Sequence, residues 1–434
     1  MSNAVSFLKY GDVAEFRNGL NFSKDSHGKG CKFIGVADFK DNFTPQWELL
    51  GEINPFGVAK REDYLEPGDI IFVRSNGNKA LVGRSLYIDR NEKSLYSGFC
   101  IRARLKTDDF LPLFLAYYTR TNFFKSAITS VAGTNINNLN QDILGNIMIP
   151  HYSIGIQKSI IAVLTSIDEK IAINNRINAE LEAMAKMLYD YWFVQFNFPD
   201  ANGKPYKSSG GKMEYNAALE QEIPAGWSVD TLSSWIADDK TGDWGKEIRE
   251  GNYTLQVNCI RGADINGLNG YGNTSMPVRY ILEKNEKKLL SAYDFVIEIS
   301  GGSPTQSTGR MTFITKEMLD RFTHPVICSN FCKAITLKDN LYSYNFSYTW
   351  NDIYNKGILF GWEGKTSGIK NLLFDSFVDK HHVCVPHKGL VKIFHDIMMP
   401  LHQKKQKNLK ENSELQKLRD WLLPLLMNGQ VKTK

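Results

Sequence analysis

Arginine, asparagine, glutamine, lysine, serine and threonine gather in two pairs of loop-like stretches of this chain, where they could read base edges and hold phosphates. In the first half, Arg74-Ser75-Asn76-Gly77-Asn78-Lys79 leads to Arg84, and Gly133-Thr134-Asn135-Ile136-Asn137-Asn138 precedes a short apolar run. In the second half, Ser300-Gly301-Gly302-Ser303-Pro304-Thr305-Gln306-Ser307-Thr308 leads to Arg310, and Lys365-Thr366-Ser367-Gly368-Ile369-Lys370 occupies the place of the asparagine stretch. Arginine matches guanine, and asparagine or glutamine matches adenine, in the major groove. Lysine, the hydroxyls and backbone amides hold phosphates. The candidates are Arg74, Asn76, Asn78, Lys79, Arg84, Thr134, Asn135 and Asn137, then Ser303, Gln306, Thr308, Arg310, Lys365, Thr366 and Lys370. Solvated loops often have this composition, so the weight falls on its recurrence at equivalent points of two halves.

Catalytic patterns are weak by comparison. Methylation of an adenine amino group would need an Asp- or Asn-Pro-Pro-Tyr/Phe motif, and Asn54-Pro55-Phe56 lacks the second proline. Gly364-Lys365-Thr366 imitates the end of a phosphate loop, but the upstream glycine position holds Leu359. Asp69 and Asp294 each follow a turn signal and precede an apolar run, which suits a structural turn role. Cys328 and Cys332 with His381, His382, Cys384 and His387 fit no compact zinc spacing. Cys332 also has a counterpart, Cys100, with no such neighbours, so buried thiols are expected and no metal site. No catalytic residue is assigned, and the chain reads as a non-enzyme.

The elements that would position the loops repeat. Leu65-Glu66-Pro67-Gly68-Asp69 resembles Leu290-Ser291-Ala292-Tyr293-Asp294, Gly83-Arg84 resembles Gly309-Arg310, and Ser97-Gly98-Phe99-Cys100 resembles Ser329-Asn330-Phe331-Cys332. Ile136-Asn137-Asn138-Leu139 resembles Ile369-Lys370-Asn371-Leu372, all in the same order. In the first copy, residues 32–36, 69–75, 85–89 and 98–105 read as strands between turn signals, and 111–128 reads as an amphipathic helix.

Each copy is followed by a long helical pattern, over residues 159–193 and 395–427. In the first, Ile160, Leu164, Ile167 and Ile171 step by four, three and four residues, and Leu181 and Leu188 keep the register of a coiled-coil seam. An offset of 234 carries Ile167, Leu181 and Leu188 onto Leu401, Leu415 and Leu422. It also carries Asn174 and Asn178 onto Asn408 and Asn412. Amides at seam positions cost stability and fix register, which makes these four the candidate register residues. Pro400 and Pro424 depart from the first copy and predict a kink or a shifted start or stop in the second helix.

The fold expected is α+β, with two mixed α/β domains separated by two long helices that form an antiparallel coiled coil, a pseudo-two-fold internal repeat. The boundaries are 1–152 for the first domain, 153–196 for the central helix, 197–225 for a linker rich in Gly, Ser, Pro and Lys, 226–388 for the second domain, and 389–434 for the C-terminal helix. A helix of forty residues spans about 60 Å, so the domains would present equivalent surfaces at a fixed separation, suited to a duplex with two half-sites. A net charge of +5 permits an anionic partner without demanding one. Six cysteines and no secretion signal point to a reduced, cytoplasmic protein, and no apolar run is long enough for a membrane helix.

At this level the chain resembles the specificity (S) subunit of type I restriction-modification systems, which has two target recognition domains and two conserved helical regions in this order. The resemblance is carried most specifically by Tyr191-Trp192-Phe193-Val194-Gln195-Phe196, by Gly203-Lys204-Pro205-Tyr206-Lys207-Ser208-Ser209-Gly210-Gly211-Lys212-Met213, and by Glu222-Ile223-Pro224-Ala225-Gly226-Trp227. It implies that each recognition domain reads one half of a bipartite double-stranded DNA target. It implies helices that set the spacer and dock two modification (M) subunits carrying S-adenosylmethionine, and restriction (R) subunits adding ATP- and Mg-dependent translocation and cleavage. It implies no cofactor in this chain itself and no membrane partner. Two readings compete with it: a duplicated coiled-coil scaffold that binds proteins only, and a nucleic-acid-modifying enzyme.

Overall fold

The computed structural model describes residues 6–78, 81–132, 138–272, 274–366 and 368–431. The chain divides into two compact units, Met1–Lys170 with Glu414–Lys434, and Ile171–Ser413, so each long helix contributes one part to each unit.

In the first unit a four-stranded antiparallel sheet has the order Ala14–Asn18, Cys100–Leu105, Ile70–Val73, Ser85–Tyr87. Ile70, Ile71, Phe72 and Val73 are all buried, as expected of a central strand covered on both faces. A smaller sheet orders Glu52–Ile53, His27–Ile34 and Ser94–Tyr96, the last two pairing in parallel. The second unit repeats both sheets: Ile236–Thr241, Cys332–Leu337, Asp294–Glu298 and Met311–Phe313 form the larger, and Val278–Leu282, Tyr253–Ile260 and Val326–Cys328 the smaller, again with one parallel pair.

The two ends of each domain are also tied alike. Ser6–Lys9 pairs with Met148–His151, and Ser228–Thr231 with His382–Val385. The long helices follow at once, Ile154–Tyr189 and Lys388–Met427, so an offset of 234 superposes their first residues.

The repeat extends to single hydrogen bonds. Gly83 donates to the Val73 carbonyl (2.9 Å) and Val73 to that of Arg84 (2.8 Å); Gly309 and Glu298 repeat the exchange with Arg310, both at 2.8 Å. Gly83 and Gly309 both take positive φ, +83° and +99°. A Cβ at Gly83 would lie 2.7 Å from Ile128 Cδ1, and one at Gly309 2.2 Å from Leu359 Cδ1, so both turns exclude a side chain by backbone conformation and by space.

Three local expectations are corrected. The single helix expected over 111–128 is two, Pro112–Tyr118 and Asn122–Ala132. The hydroxyls of Thr119 and Thr121 bond back to the Ala116 and Tyr118 carbonyls, and Thr121 Oγ1 then accepts from Phe124 N (3.2 Å), capping the second helix. The stretch read as a linker is ordered: Met213–Asn216 forms a hairpin with Gln221–Pro224, and Phe198 stacks between Tyr206 and Trp227. Pro400 and Pro424 do not start or stop the C-terminal helix, which runs through both. The central helix ends in a π turn, Asp190–Val194, that packs Trp192 and Phe193 into the core of the second unit.

Candidate nucleic-acid interface

In the first domain the strand Ile70–Val73 delivers the loop beginning at Arg74. Arg74 N donates to the Phe99 carbonyl (2.8 Å), its own carbonyl accepts from Leu139 N (2.8 Å), and Ser75 and Asn138 form an antiparallel bridge. Two stretches more than sixty residues apart therefore meet at one end of the sheet. Asn76 Oδ1 accepts from Asn78 N (2.8 Å), an Asx turn that shapes the loop tip. Arg84 is anchored, its Nη1 donating to the Lys40 carbonyl and to Asp41 Oδ1 (3.3 Å). Lys79, Thr134, Asn135 and Asn137 lie outside the described residues.

The second domain assembles the corresponding pair. Ser300–Gly301 pairs with Lys370 and Asn371, and the strand Glu363–Thr366, which carries Lys365 and Thr366, pairs with Ile369–Leu372. Ser303 Oγ accepts from Gln306 N (3.1 Å), and the exposed Gln306 reaches Tyr354 Oη with its Nε2 (3.2 Å).

Three candidates face inward instead. Thr308 is buried and donates twice to Glu363 Oε1, from N (2.7 Å) and Oγ1 (3.0 Å). Lys370 is buried with Nζ 3.1 Å from Glu363 Oε2 and 3.1 Å from the Gln306 carbonyl. Arg310 makes a forked pair with buried Glu298, at 2.8 and 2.7 Å, which raises the guanidinium pKa further. These side chains build the loops from beneath, because a buried carboxylate must be paired and hydrogen-bonded.

Glu298 and Glu363 carry no motif or repeat that marks them in the sequence. A carboxylate at the end of the apolar run Asp294–Glu298, three residues before a glycine pair, was the available signal. Asp69 and Asp294 hold turns, accepting from Glu66 N and Ser291 N at 2.8 Å, and pair with Arg104 (2.7 Å) and Lys240 (3.1 Å). Gly364-Lys365-Thr366 lies on a strand rather than at a strand-to-helix turn. Five of the six cysteines are buried, and burial pushes the Cys100 and Cys328 thiols up to about 12.

The seam amides meet across the helix pair. Asn174 Nδ2 donates to Asn412 Oδ1 (2.9 Å) and to Glu411 Oε2 (2.8 Å), and Asn408 Nδ2 donates to Asn178 Oδ1 (2.8 Å). The offset of 234 turns the first amide pair into the second. Lys405 Nζ to Glu182 Oε2 (2.7 Å) continues the series, with one number rising as the other falls, so the helices run antiparallel where they pair. In the first unit Arg419 Nη1 meets Asp168 Oδ1 (2.8 Å), and Tyr117 Oη donates to the other Asp168 oxygen (2.7 Å).

Residues 4–183 match the family described as the type I restriction modification DNA specificity domain. The matched stretch ends inside the central helix, and so spans nearly all of the first copy together with most of that helix. The full chain is similar to the type I restriction enzyme MjaIX specificity subunit of Methanocaldococcus jannaschii, 24% identical, with 98% of this chain and 93% of the relative covered. It is 30% identical over 188 residues to the StySPI specificity subunit of Salmonella potsdam, covering 43% of this chain and 38% of that one. The crystal structure of the S subunit of a type I restriction-modification system from M. genitalium shares the fold, with a TM-score of 0.54 at 15% identity, covering 98% of this chain and 97% of that one.

Proposed function

We propose that this chain is the DNA-reading subunit of a type I restriction-modification complex, that each recognition domain reads one half of a bipartite target, and that it is not itself an enzyme. One observation carries the reading: two loop pairs are held on the same lattice of backbone hydrogen bonds, yet present different side chains. Arg74 in the first copy is Ile299 in the second, and Val73 is Glu298. A shared frame with different residues suits two unlike half-sites on one duplex.

The helix pair, as an antiparallel coiled coil, sets the spacer and docks two copies of one partner. In its support, Met184 and Met187 on the central helix and Leu418 and Trp421 on the C-terminal helix are exposed at positions related by the same offset of 234. Exposed large apolar groups in matched sets suit two M subunits. S-adenosylmethionine then belongs to the M subunits, and ATP and Mg to R subunits. Among the described residues no helix is long and apolar enough to cross a membrane, in keeping with a cytoplasmic complex.

Methylome sequencing of cells carrying the system tests this. A bipartite methylated sequence with a fixed spacer is expected, and a single uninterrupted target would contradict it.

A further inference from the structure

Phe99 and Phe331 occupy the same place in the two recognition domains, and both hold their rings in solvent, 57% and 50% exposed, beside a fully buried cysteine. The turns that carry them are closed alike, by Cys100 N to the Ser97 carbonyl (2.8 Å) and Cys332 N to the Ser329 carbonyl (2.9 Å). Each phenylalanine carbonyl accepts two N–H groups from the start of the candidate reading loop. Arg74 and Ser75 donate to Phe99 (2.8 and 3.4 Å), and Ile299 and Ser300 donate to Phe331 (2.9 and 3.1 Å). A scattered exposed apolar residue needs no explanation. A large ring exposed twice, at matched points, on a turn fixed to each loop, does.

We propose that Phe99 and Phe331 are specificity-determining contacts, each reading a thymine methyl group in its own half-target. The proposal rests on the DNA-reading function above. A phenyl ring has no hydrogen-bonding atom, and the only apolar group on a base-pair edge in the major groove is the C5-methyl of thymine. Polar groups of the neighbouring loops are left to read the remaining edges. A ring of this size, on a backbone already fixed, needs little further ordering to make the contact. Insertion as a wedge between base steps is the competing use of such a ring, and it would unstack and kink the duplex.

The test uses the complex assembled on its own target. Each thymine is replaced in turn by deoxyuridine, which removes only the methyl group, and affinity is measured for the parent and for Phe99→Ala and Phe331→Ala. In the parent, one thymine in each half should weaken binding about fourfold on losing its methyl. Phe99→Ala should abolish that sensitivity in one half only, and Phe331→Ala in the other. Phe99→Leu, which keeps an apolar group on the same turn, should retain part of it, which separates lost contact from a damaged fold. Variants that keep the full deoxyuridine effect, a parent indifferent to every substitution, a half-target without thymine, or 2-aminopurine fluorescence reporting unstacking that depends on either ring would each overturn the inference. A parent that binds no bipartite target would instead refute the DNA-reading function itself.

Discussion

The amide pair Asn178–Asn408 makes a prediction whose sign changes between single and double substitution. Asn408 Nδ2 donates to Asn178 Oδ1 at 2.8 Å, while Asn178 Nδ2 and Asn408 Oδ1 are buried and find no partner among the described residues. In the first pair, by contrast, Asn412 Nδ2 also donates to Asn175 Oδ1 (2.7 Å), and the offset of 234 places Leu409 opposite that role in the second. Asn178→Leu alone removes the bond and leaves the Asn408 amide unpartnered, at a cost of about 1–3 kcal/mol per stranded group. Replacing both residues by leucine loses one hydrogen bond, worth about 0.5–1.5 kcal/mol, but removes both stranded atoms. Further apolar area is then buried, so the double variant should be more stable than the parent by about 1–3 kcal/mol. Urea unfolding followed by helical circular dichroism reads this as a double-mutant cycle. Additive single effects, or a double variant less stable than either single, would refute this account of the seam. Replacing all four amides, Asn174, Asn178, Asn408 and Asn412, by leucine should leave the chain folded while loosening the pairing register. An unaltered target spacer and unaltered assembly would then show that the amides do not set it.

The other expectations concern charge, the ruler and acid. Arg310→Ala strands the buried Glu298 carboxylate and should cost about 3–5 kcal/mol. Thermal melting should register that loss, and Arg310→Met with Glu298→Leu should recover most of it; an Arg310→Ala chain melting like the parent would place the guanidinium outside the structural frame. Inserting a heptad near Asn174 with a compensating heptad near Asn412 lengthens the helix pair by about 10 Å. The spacer should grow by about three base pairs, and an unchanged spacer would argue against the ruler. The His402 Nδ1 is buried without a hydrogen-bond partner among the described residues, and burial, assisted by Lys405, pushes the ring's pKa down to about 3. The unfolded chain therefore takes up this proton first, and stability should fall as pH drops from about 6.5 towards 3, by on the order of 1 kcal/mol per pH unit. His402→Gln should flatten that slope in melts across the range, and an unchanged slope would exclude His402 as its source.

The sequence announced its repeat more clearly than its side-chain geometry. An offset read from Ile167, Leu181 and Leu188 lands on the first residue of both helices, because seam packing imposes one spacing along a whole helix. The recurrence of each loop pair is legible from order alone, since Asn138 and Asn371 stand in matched stretches, whereas the meeting of the two stretches of a pair is seen only in the structure. What was not legible was direction. Thr308, Arg310 and Lys370 turn inward because of Glu298 and Glu363, and Glu298 has only Val73 as its counterpart, so the first copy gave no hint of a buried carboxylate. The stretch 197–225 reads as a linker by composition, but its order comes from the stacking of Phe198, Tyr206 and Trp227, which no periodicity announces.

The central claim is a division of labour between two copies of one frame, and exchanging residues 1–150 for those of a relative tests it most directly. Methylome sequencing of cells carrying the exchanged chain should show one half of the bipartite target replaced, with the other half and the spacer retained. A change in both halves, or in neither, would contradict the account.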